Sequence, residues 1–182
     1  MYEDLLEKKL RSENIYDGVL LHVRRDTVTL PNGREAVREW VRHPGASAVL
    51  PVFKDGTVLL VRQYRYPVDR VTLEIPAGKL DSPKEDPLAC AVRELSEETG
   101  YTAKHWAKLT TIGTTVGFSN EYIHIYAAHD LQAGEQHTDD DEFIHVVKMP
   151  LEEAVERVKA GEIFDAKSVT AILMTALGKA KH

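Results

Sequence analysis

The segment from Pro87 to Gly100 carries the boundary signals of a helix. Pro87 suits the first turn, where its missing N–H has no intrahelical partner, and Gly100 suits the position just past the last turn. Between them, apolar residues recur at the spacing of one helix face and are expected to be buried: Leu88, Ala91, Val92 and Leu95.

The same helix carries three glutamates, Glu94, Glu97 and Glu98, whose spacing places their carboxylates on one face. They lie near the negative end of the helix dipole, where each costs roughly 0.3 kcal/mol. Arg93 is the one cation among them. Such a conflict with helix stability is typical of functional sites, and clustered carboxylates are the ligands that Mg²⁺ prefers. The alternative is an ordinary solvated acidic face.

The segment resembles the Nudix box, G-x5-E-x7-R-E-U-x-E-E-x-G-U, in which U is apolar. Arg93 to Tyr101 matches its second half, with Tyr101 at the last apolar position, and seven residues separate Glu85 from Arg93. Six residues instead of five separate Gly78 from Glu85. We expect the loop around residues 82–84 to accommodate the extra residue.

The resemblance implies an α/β fold, the Nudix-type α/β/α sandwich with a mixed sheet. It also implies hydrolysis of a nucleoside diphosphate derivative with two or more Mg²⁺ or Mn²⁺ ions per site. Glu97 would lie in or beside the ligand set, and Glu85 and Arg93 would pair and hold the loop against the helix. The implied metal ligands are the Ala77 carbonyl, Glu94 and Glu98.

Features outside the box are similar to the ADP-ribose pyrophosphatase and nucleoside diphosphate sugar hydrolase branch. They are the segments Arg42–Val49, Val61–Pro67, Leu73–Leu80 and Gly161–Ser168. The ADP-ribose enzymes usually have a Ser-Pro-Gly after the box, and Val116 stands here in place of the proline. The implied substrate is therefore a nucleoside diphosphate sugar of the ADP-ribose or GDP-mannose type.

An acidic loop from Thr138 to Ile144 falls where this branch has a further metal ligand and the general base. By position, Glu142 would be a ligand and catalytic residue, and Asp140 the base. The alternative is a solvated acidic turn.

Four residues are candidate substrate contacts. Arg65 is the best phosphate clamp, since a guanidinium can meet a diphosphate through two hydrogen bonds, and Arg38 is a weaker candidate. Trp40 is a candidate for stacking on a base, although a Trp in a strand is more often core or interface. Glu121 is retained from the segment that follows the box in this branch.

Strand-like alternation occupies most of the remaining chain. The run from Gly18 to Val23 predicts the first strand. Asn32-Gly33 and Asp55-Gly56 predict tight hairpin turns with positive φ at both residues. The last helix, from Ser168 to Ala180, is expected to bury one stripe: Val169, Leu173, Met174 and Leu177.

We expect residues 1–45 to form a small N-terminal antiparallel β-sheet and residues 46–182 to form the hydrolase domain. In the branch that the chain resembles, this sheet commonly exchanges between subunits. The resemblance therefore implies a homodimer with sites built from both chains.

The formal net charge, 23 − 29 = −6, argues against nucleic-acid and membrane partners. No run reaches the roughly 18 apolar residues of a membrane span, and the first residues are charged, so we expect neither a membrane span nor a signal peptide. The single cysteine, Cys90, excludes an intrachain disulfide and fits a reducing cytoplasm.

Two other functions are also compatible with the sequence. One is hydrolysis of nucleoside triphosphates or dinucleoside polyphosphates, against which the N-terminal strands and the Arg62–Arg65 segment argue. The other is a non-catalytic nucleotide-binding module, against which the retained box carboxylates argue.

Overall fold

The computed structural model describes residues 2–138 and 142–178. Within them the chain forms two compact units. The first comprises the residues up to Gly45 together with Gly113–Glu121. The second comprises Ala46–Ile112 together with the described residues from Tyr122 onward.

The first unit is built on a three-stranded antiparallel sheet with the order β1 (Lys8–Asp17), β2 (His22–Thr29) and β3 (Glu35–Arg42). The expected N-terminal antiparallel sheet is confirmed, but its first strand lies earlier than predicted. All ten residues of β1 are exposed, and its few apolar residues do not alternate with polar ones, so the sequence carries no strand pattern there. The predicted strand from Gly18 is instead the turn into β2, where the Gly18 N–H donates to the Leu21 carbonyl at 2.9 Å.

The two glycine turns lie where they were predicted, but they are longer than expected. The Leu30 N–H donates to the Arg34 carbonyl at 2.8 Å, so three residues form the loop between them. Of the Asn32-Gly33 pair only Gly33 has a positive φ, at 82°. The Asp55-Gly56 loop has the same form. The prediction of positive φ at both residues was wrong, because the glycine follows an ordinary turn instead of sharing a two-residue one.

The second unit contains two sheets. A four-stranded mixed sheet has the order β7 (Ala77–Lys79), β4 (Ala46–Pro51), β9 (Tyr122–Ala133) and β8 (Tyr101–Gly113), with β4 and β9 parallel. A three-stranded antiparallel sheet has the order β10 (His145–Pro150), β5 (Thr57–Arg65) and β6 (Arg70–Glu74). The helices are α1 (Pro87–Thr99), α2 (Leu151–Lys159) and α3 (Ala166–Ala176). Among the described residues, no helix is both long and apolar enough to span a membrane.

Strand β4 is buried on both faces, which makes it the centre of the second unit. Side chains alternate along a strand, so Leu50 faces the core cluster that includes α3, whereas Val49 packs toward Leu95 of α1. The Ser47 hydroxyl donates to the Pro87 carbonyl at 2.7 Å and fixes the start of α1 against the same strand. Helices therefore cover opposite sides of the mixed sheet, and the predicted α/β sandwich is confirmed.

Helix α3 buries a different face from the one predicted. Leu177, which was expected in the buried stripe, is 83% exposed. The buried residues are Lys167, Ser168, Ala171 and Ile172. Apolar spacing selected the wrong stripe because two of the four buried residues are polar.

Candidate active site

Helix α1 has the bounds that the sequence predicted. Asp86 is its N-cap and accepts a hydrogen bond from the Leu88 N–H at 3.3 Å. Pro87 occupies the first turn, and Gly100 ends the helix in the left-handed conformation at φ 73°. These local signals determine where the helix starts and stops. They therefore also determine that its three glutamates lie in the last two turns.

The acidic face of α1 is turned inward. Ala91 and Leu95 are buried as predicted, but Val92 is 43% exposed. Glu94 and Glu98 are only 9% and 2% exposed. The buried face of the helix therefore includes these two carboxylates instead of Val92. The alternative of a solvated acidic face does not hold for Glu94 and Glu98.

The backbone of β7 lies directly against these carboxylates. A Cβ atom added at Gly78 would overlap the carboxylate of Glu94. The N–H of Ala77 donates to a carboxylate oxygen of Glu98 at 3.2 Å. Gly78 therefore allows close approach of strand and helix, and it brings together Ala77, Glu94 and Glu98.

Burial changes the acidity of both glutamates. Desolvation, together with the neighbouring charges of Glu94 and Glu142, raises the pKa of Glu98 to about 8. Desolvation likewise raises the pKa of Glu94 to about 7, although the Arg93 guanidinium partly offsets it. Two carboxylates are therefore held close together in a low-dielectric environment that disfavours their charge.

Arg93 is the cation that faces this cluster. Its guanidinium donates to Glu94 at 2.6 Å and to Glu97 at 2.9 Å, and it lies 3.8 Å from Glu85. Burial acts to lower the pKa of Arg93, but the adjacent carboxylates, Glu94 foremost, raise it overall. Glu97 itself is partly exposed, with 43% of its side chain accessible.

Glu85 holds the loop that contains the extra residue. Its carboxylate accepts a hydrogen bond from the Asp81 N–H at 2.6 Å, and the Glu85 N–H donates to the Ser82 carbonyl at 3.1 Å. Together with the contact to Arg93, these bonds join the loop to α1. The additional residue therefore lies in this loop, before the helix begins at Pro87.

The donor chemistry of this cluster fits a hard divalent cation. Two buried carboxylates lie beside the Ala77 peptide, whose N–H donates to Glu98, and carboxylate oxygens are ligands of the kind that Mg²⁺ binds. Glu142 is close enough to raise the pKa of both carboxylates. Within residues 2–138 and 142–178, no three His, Cys, Asp or Glu side chains converge tightly enough to form a complete metal cage. Asp140, the predicted base, lies outside the described residues.

Sequence reasoning missed a buried ion-pair network beside the cluster. Arg65, at the end of β5, donates to both carboxylate oxygens of Glu74 at 2.9 and 2.8 Å. Lys167 donates to the same carboxylate and to Asp165, the N-cap residue of α3. These cations lower the pKa of Glu74 to about 2, against the raising effect of its burial. The network could not be found from spacing, because Glu74 and Lys167 are separated by 93 residues.

The remaining predicted substrate contacts lie in the first unit, where each has an intramolecular partner. Arg38 pairs with Glu7. The Trp40 indole N–H donates to Asp26 at 3.0 Å. Glu121 accepts a hydrogen bond from the Thr114 hydroxyl and lies 3.5 Å from His43. Their roles in substrate binding stay predictions.

Comparison with known families assigns both parts of the chain. Residues 41–171 match the NUDIX domain, and residues 7–41 match the nucleoside diphosphate sugar hydrolase N-terminal domain. A solved structure described as an ADP compounds hydrolase superposes with a TM-score of 0.83, at 24% identity, over 95% of this chain and 94% of that one. That likeness supports the fold.

Curated relatives extend over most of the chain. An ADP-ribose pyrophosphatase of Bacillus subtilis is 42% identical over 98% of this chain and 97% of its own. A methanol dehydrogenase activator of Bacillus methanolicus is 41% identical over 97% and 96%. A GDP-mannose pyrophosphatase of Yersinia enterocolitica is 37% identical over 74% and 75%. The chain therefore belongs to the Nudix family, and it is a pyrophosphohydrolase in which every carboxylate of the box is retained.

Proposed function

We propose that this protein hydrolyses the diphosphate bond of a nucleoside diphosphate sugar, of the ADP-ribose or GDP-mannose type. The products are a nucleoside monophosphate and a sugar phosphate. The match of residues 7–41 to the nucleoside diphosphate sugar hydrolase N-terminal domain supports this substrate class, as do the names of the relatives.

The observation that carries the proposal is the pair of buried carboxylates, Glu94 and Glu98, set against the backbone of Ala77. A buried carboxylate without a cation beside it destabilises the folded protein. The presence of two such carboxylates therefore supports a bound positive charge at this place. The residues that would hold two or more Mg²⁺ or Mn²⁺ ions are Ala77, Glu94, Glu98 and Glu142. Bound divalent ions supply charge neutralisation for the diphosphate and a lower pKa for water.

The side chains then have separate tasks. Arg93 orients Glu94 and Glu97 through its hydrogen bonds, and Glu85 restrains Arg93 from the loop side. Arg65 binds a phosphate oxygen of the substrate. Attack of a water oxygen on phosphorus breaks the bridging P–O bond, and the proton of that water passes to a carboxylate. Glu97, Glu142 and Asp140 are the candidates for this base.

We further propose that the protein works as a homodimer in the cytoplasm, with residues 1–45 as the dimerisation element and residues 46–182 as the hydrolase domain. The fully exposed β1 supports the dimer, because it carries apolar residues that a second chain would cover. In that arrangement Arg38 and Trp40 contribute substrate contacts from the N-terminal sheet, and Glu121 contributes one from the loop before β9.

A substrate panel tests the function directly. Purified protein is incubated with ADP-ribose, GDP-mannose, nucleoside triphosphates and dinucleoside polyphosphates, with Mg²⁺, with Mn²⁺ or with EDTA. Phosphatase-coupled phosphate release measures the monoester products. Turnover of a nucleoside diphosphate sugar that requires the added metal is expected. Preferred turnover of triphosphates or dinucleoside polyphosphates would overturn the substrate class, and turnover undiminished in EDTA would overturn the metal.

A further inference from the structure

Glu74 sits in the buried network that lies beside the acidic cluster, and it accepts four hydrogen bonds. Two come from Arg65, one from the Thr72 hydroxyl at 2.6 Å and one from Lys167 at 2.5 Å. A carboxylate has about four acceptor positions, so those of Glu74 are all filled. Its carboxylate is 4% exposed and is thereby fixed in one orientation.

Arg65 keeps a second edge that this pairing does not use. A guanidinium has five N–H donors, of which two are engaged with Glu74, leaving three without an acceptor in the part of the chain that the structure describes. The side chain is 41% exposed. Its charge also interacts with that of Glu98 in the acidic cluster. The available edge of Arg65 is therefore suited to a diphosphate bound at that cluster.

Lys167 neutralises part of the negative charge of Glu74, so less of the positive charge of Arg65 is neutralised by that carboxylate. If Arg65 were alone with Glu74, one anion would neutralise one cation. With Lys167 on the same carboxylate, two cations share that negative charge, and Asp165 takes up part of the charge of Lys167 on its other side. Lys167 is only 8% exposed, so water screens this arrangement weakly.

We propose that Lys167 is a positioning residue for substrate binding, which acts through Glu74 to hold the Arg65 guanidinium in place and to keep its charge available to the diphosphate. The inference rests on the proposed function. It places a determinant of substrate affinity on α3, outside the box, in a residue that itself makes no contact with the substrate.

The test is the variant Lys167→Met, which removes the charge and keeps the length of the side chain. We expect KM for the nucleoside diphosphate sugar to rise about tenfold, since charge-assisted hydrogen bonds to phosphate weaken, while kcat changes less than about twofold. Lys167→Arg should restore most of the affinity. Lys159→Met removes an exposed lysine of α2 that pairs with Glu156, and it should leave KM unchanged.

A double-mutant cycle separates positioning from a loss of stability. In an Arg65→Gln background, Lys167→Met should not raise KM further, because the residue through which it acts is already gone. All assays are run well below the melting temperature of each variant. A folded Lys167→Met protein with the wild-type KM, or additive effects in the cycle, would overturn the positioning role and leave the proposed function intact. A wild-type protein inactive on every diphosphate sugar would instead overturn the proposed function.

Discussion

The backbone N–H of Ala77 donates to the carboxylate of Glu98 at 3.2 Å, which joins the first residue of β7 to the last turn of α1. The contact explains how a carboxylate that is 2% exposed keeps a hydrogen bond inside the protein. It also brings the Ala77 peptide to the acids of the helix. Strand and helix therefore form one site, although neither would form it alone.

Replacement of Glu98 by Gln should remove activity and preserve the fold. The amide keeps the shape of the side chain and loses the negative charge, so we expect kcat to fall about a thousandfold, the equivalent of several kcal/mol of transition-state stabilisation. Steady-state kinetics with saturating Mg²⁺ measure the loss, and circular dichroism checks the fold. Glu152→Gln, on the exposed side of α2, is the matched control and should keep wild-type turnover. Near wild-type activity of the Glu98 variant would refute its role as a ligand.

Divalent cations should stabilise the folded chain. The side chains of Glu94 and Glu98 are close and buried, and a cation bound between them relieves their repulsion in the folded state only. Thermal unfolding in EDTA and in millimolar Mg²⁺ should differ by about 3 °C or more, as expected for a ligand that binds the native state. The difference should shrink in Glu98→Gln and persist in Glu152→Gln. Equal melting temperatures in wild type with and without metal would contradict the proposed site.

The absence of a side chain at Gly78 should matter for activity more than for stability. The carboxylate that an added methyl group would displace belongs to a flexible side chain, Glu94, so we expect Gly78→Ala to cost about 1 kcal/mol and to lower kcat about a hundredfold. Gly117→Ala is the control, because a Cβ atom there meets no atom within 4 Å. Urea denaturation and kinetics on both variants make the comparison. Loss of activity in both variants to the same degree would argue against a specific contact.

Glu74 should make the protein sensitive to acid. The folded-state pKa of about 2 lies below the ordinary value of 4.5, so the stability that Glu74 contributes is present above pH 4.5 and is lost as the pH falls toward 2. Glu74→Gln should lower the free energy of unfolding by about 3 kcal/mol at pH 7. The further decrease in that free energy at acid pH should be smaller than in wild type. The exposed pair of Glu153 and Arg157 provides the control, since Glu153→Gln should cost under about 0.5 kcal/mol. Urea denaturation between pH 3 and pH 7 gives both quantities. Parallel pH profiles for wild type and Glu74→Gln would contradict the depressed pKa.

Local chemistry made part of this structure predictable. Pro87 and Gly100 mark the ends of α1. Proline, which lacks an N–H, is tolerated in the first turn, and glycine readily adopts the left-handed conformation that ends a helix. The glycine turns were located for the same reason. The long exposed strand β1 was missed, because edge strands of polar composition carry little apolar alternation. The buried face of α3 was misjudged, because Lys167 and Ser168 are buried through hydrogen bonds to Glu74 and to the Ile75 N–H.

The sequence by itself determined the family, the bounds of α1 and the spacing of its glutamates, because these depend on residues close to one another along the chain. Tertiary structure decided that Glu94 and Glu98 face inward, since Gly78 of β7 leaves room for Glu94 and the Ala77 N–H donates to Glu98. It also decided that Arg65 shares Glu74 with Lys167. Burial and long-range pairing determine the pKa values of these groups. Both depend on residues that are far apart in the sequence, so neither can be predicted from neighbouring residues along the chain.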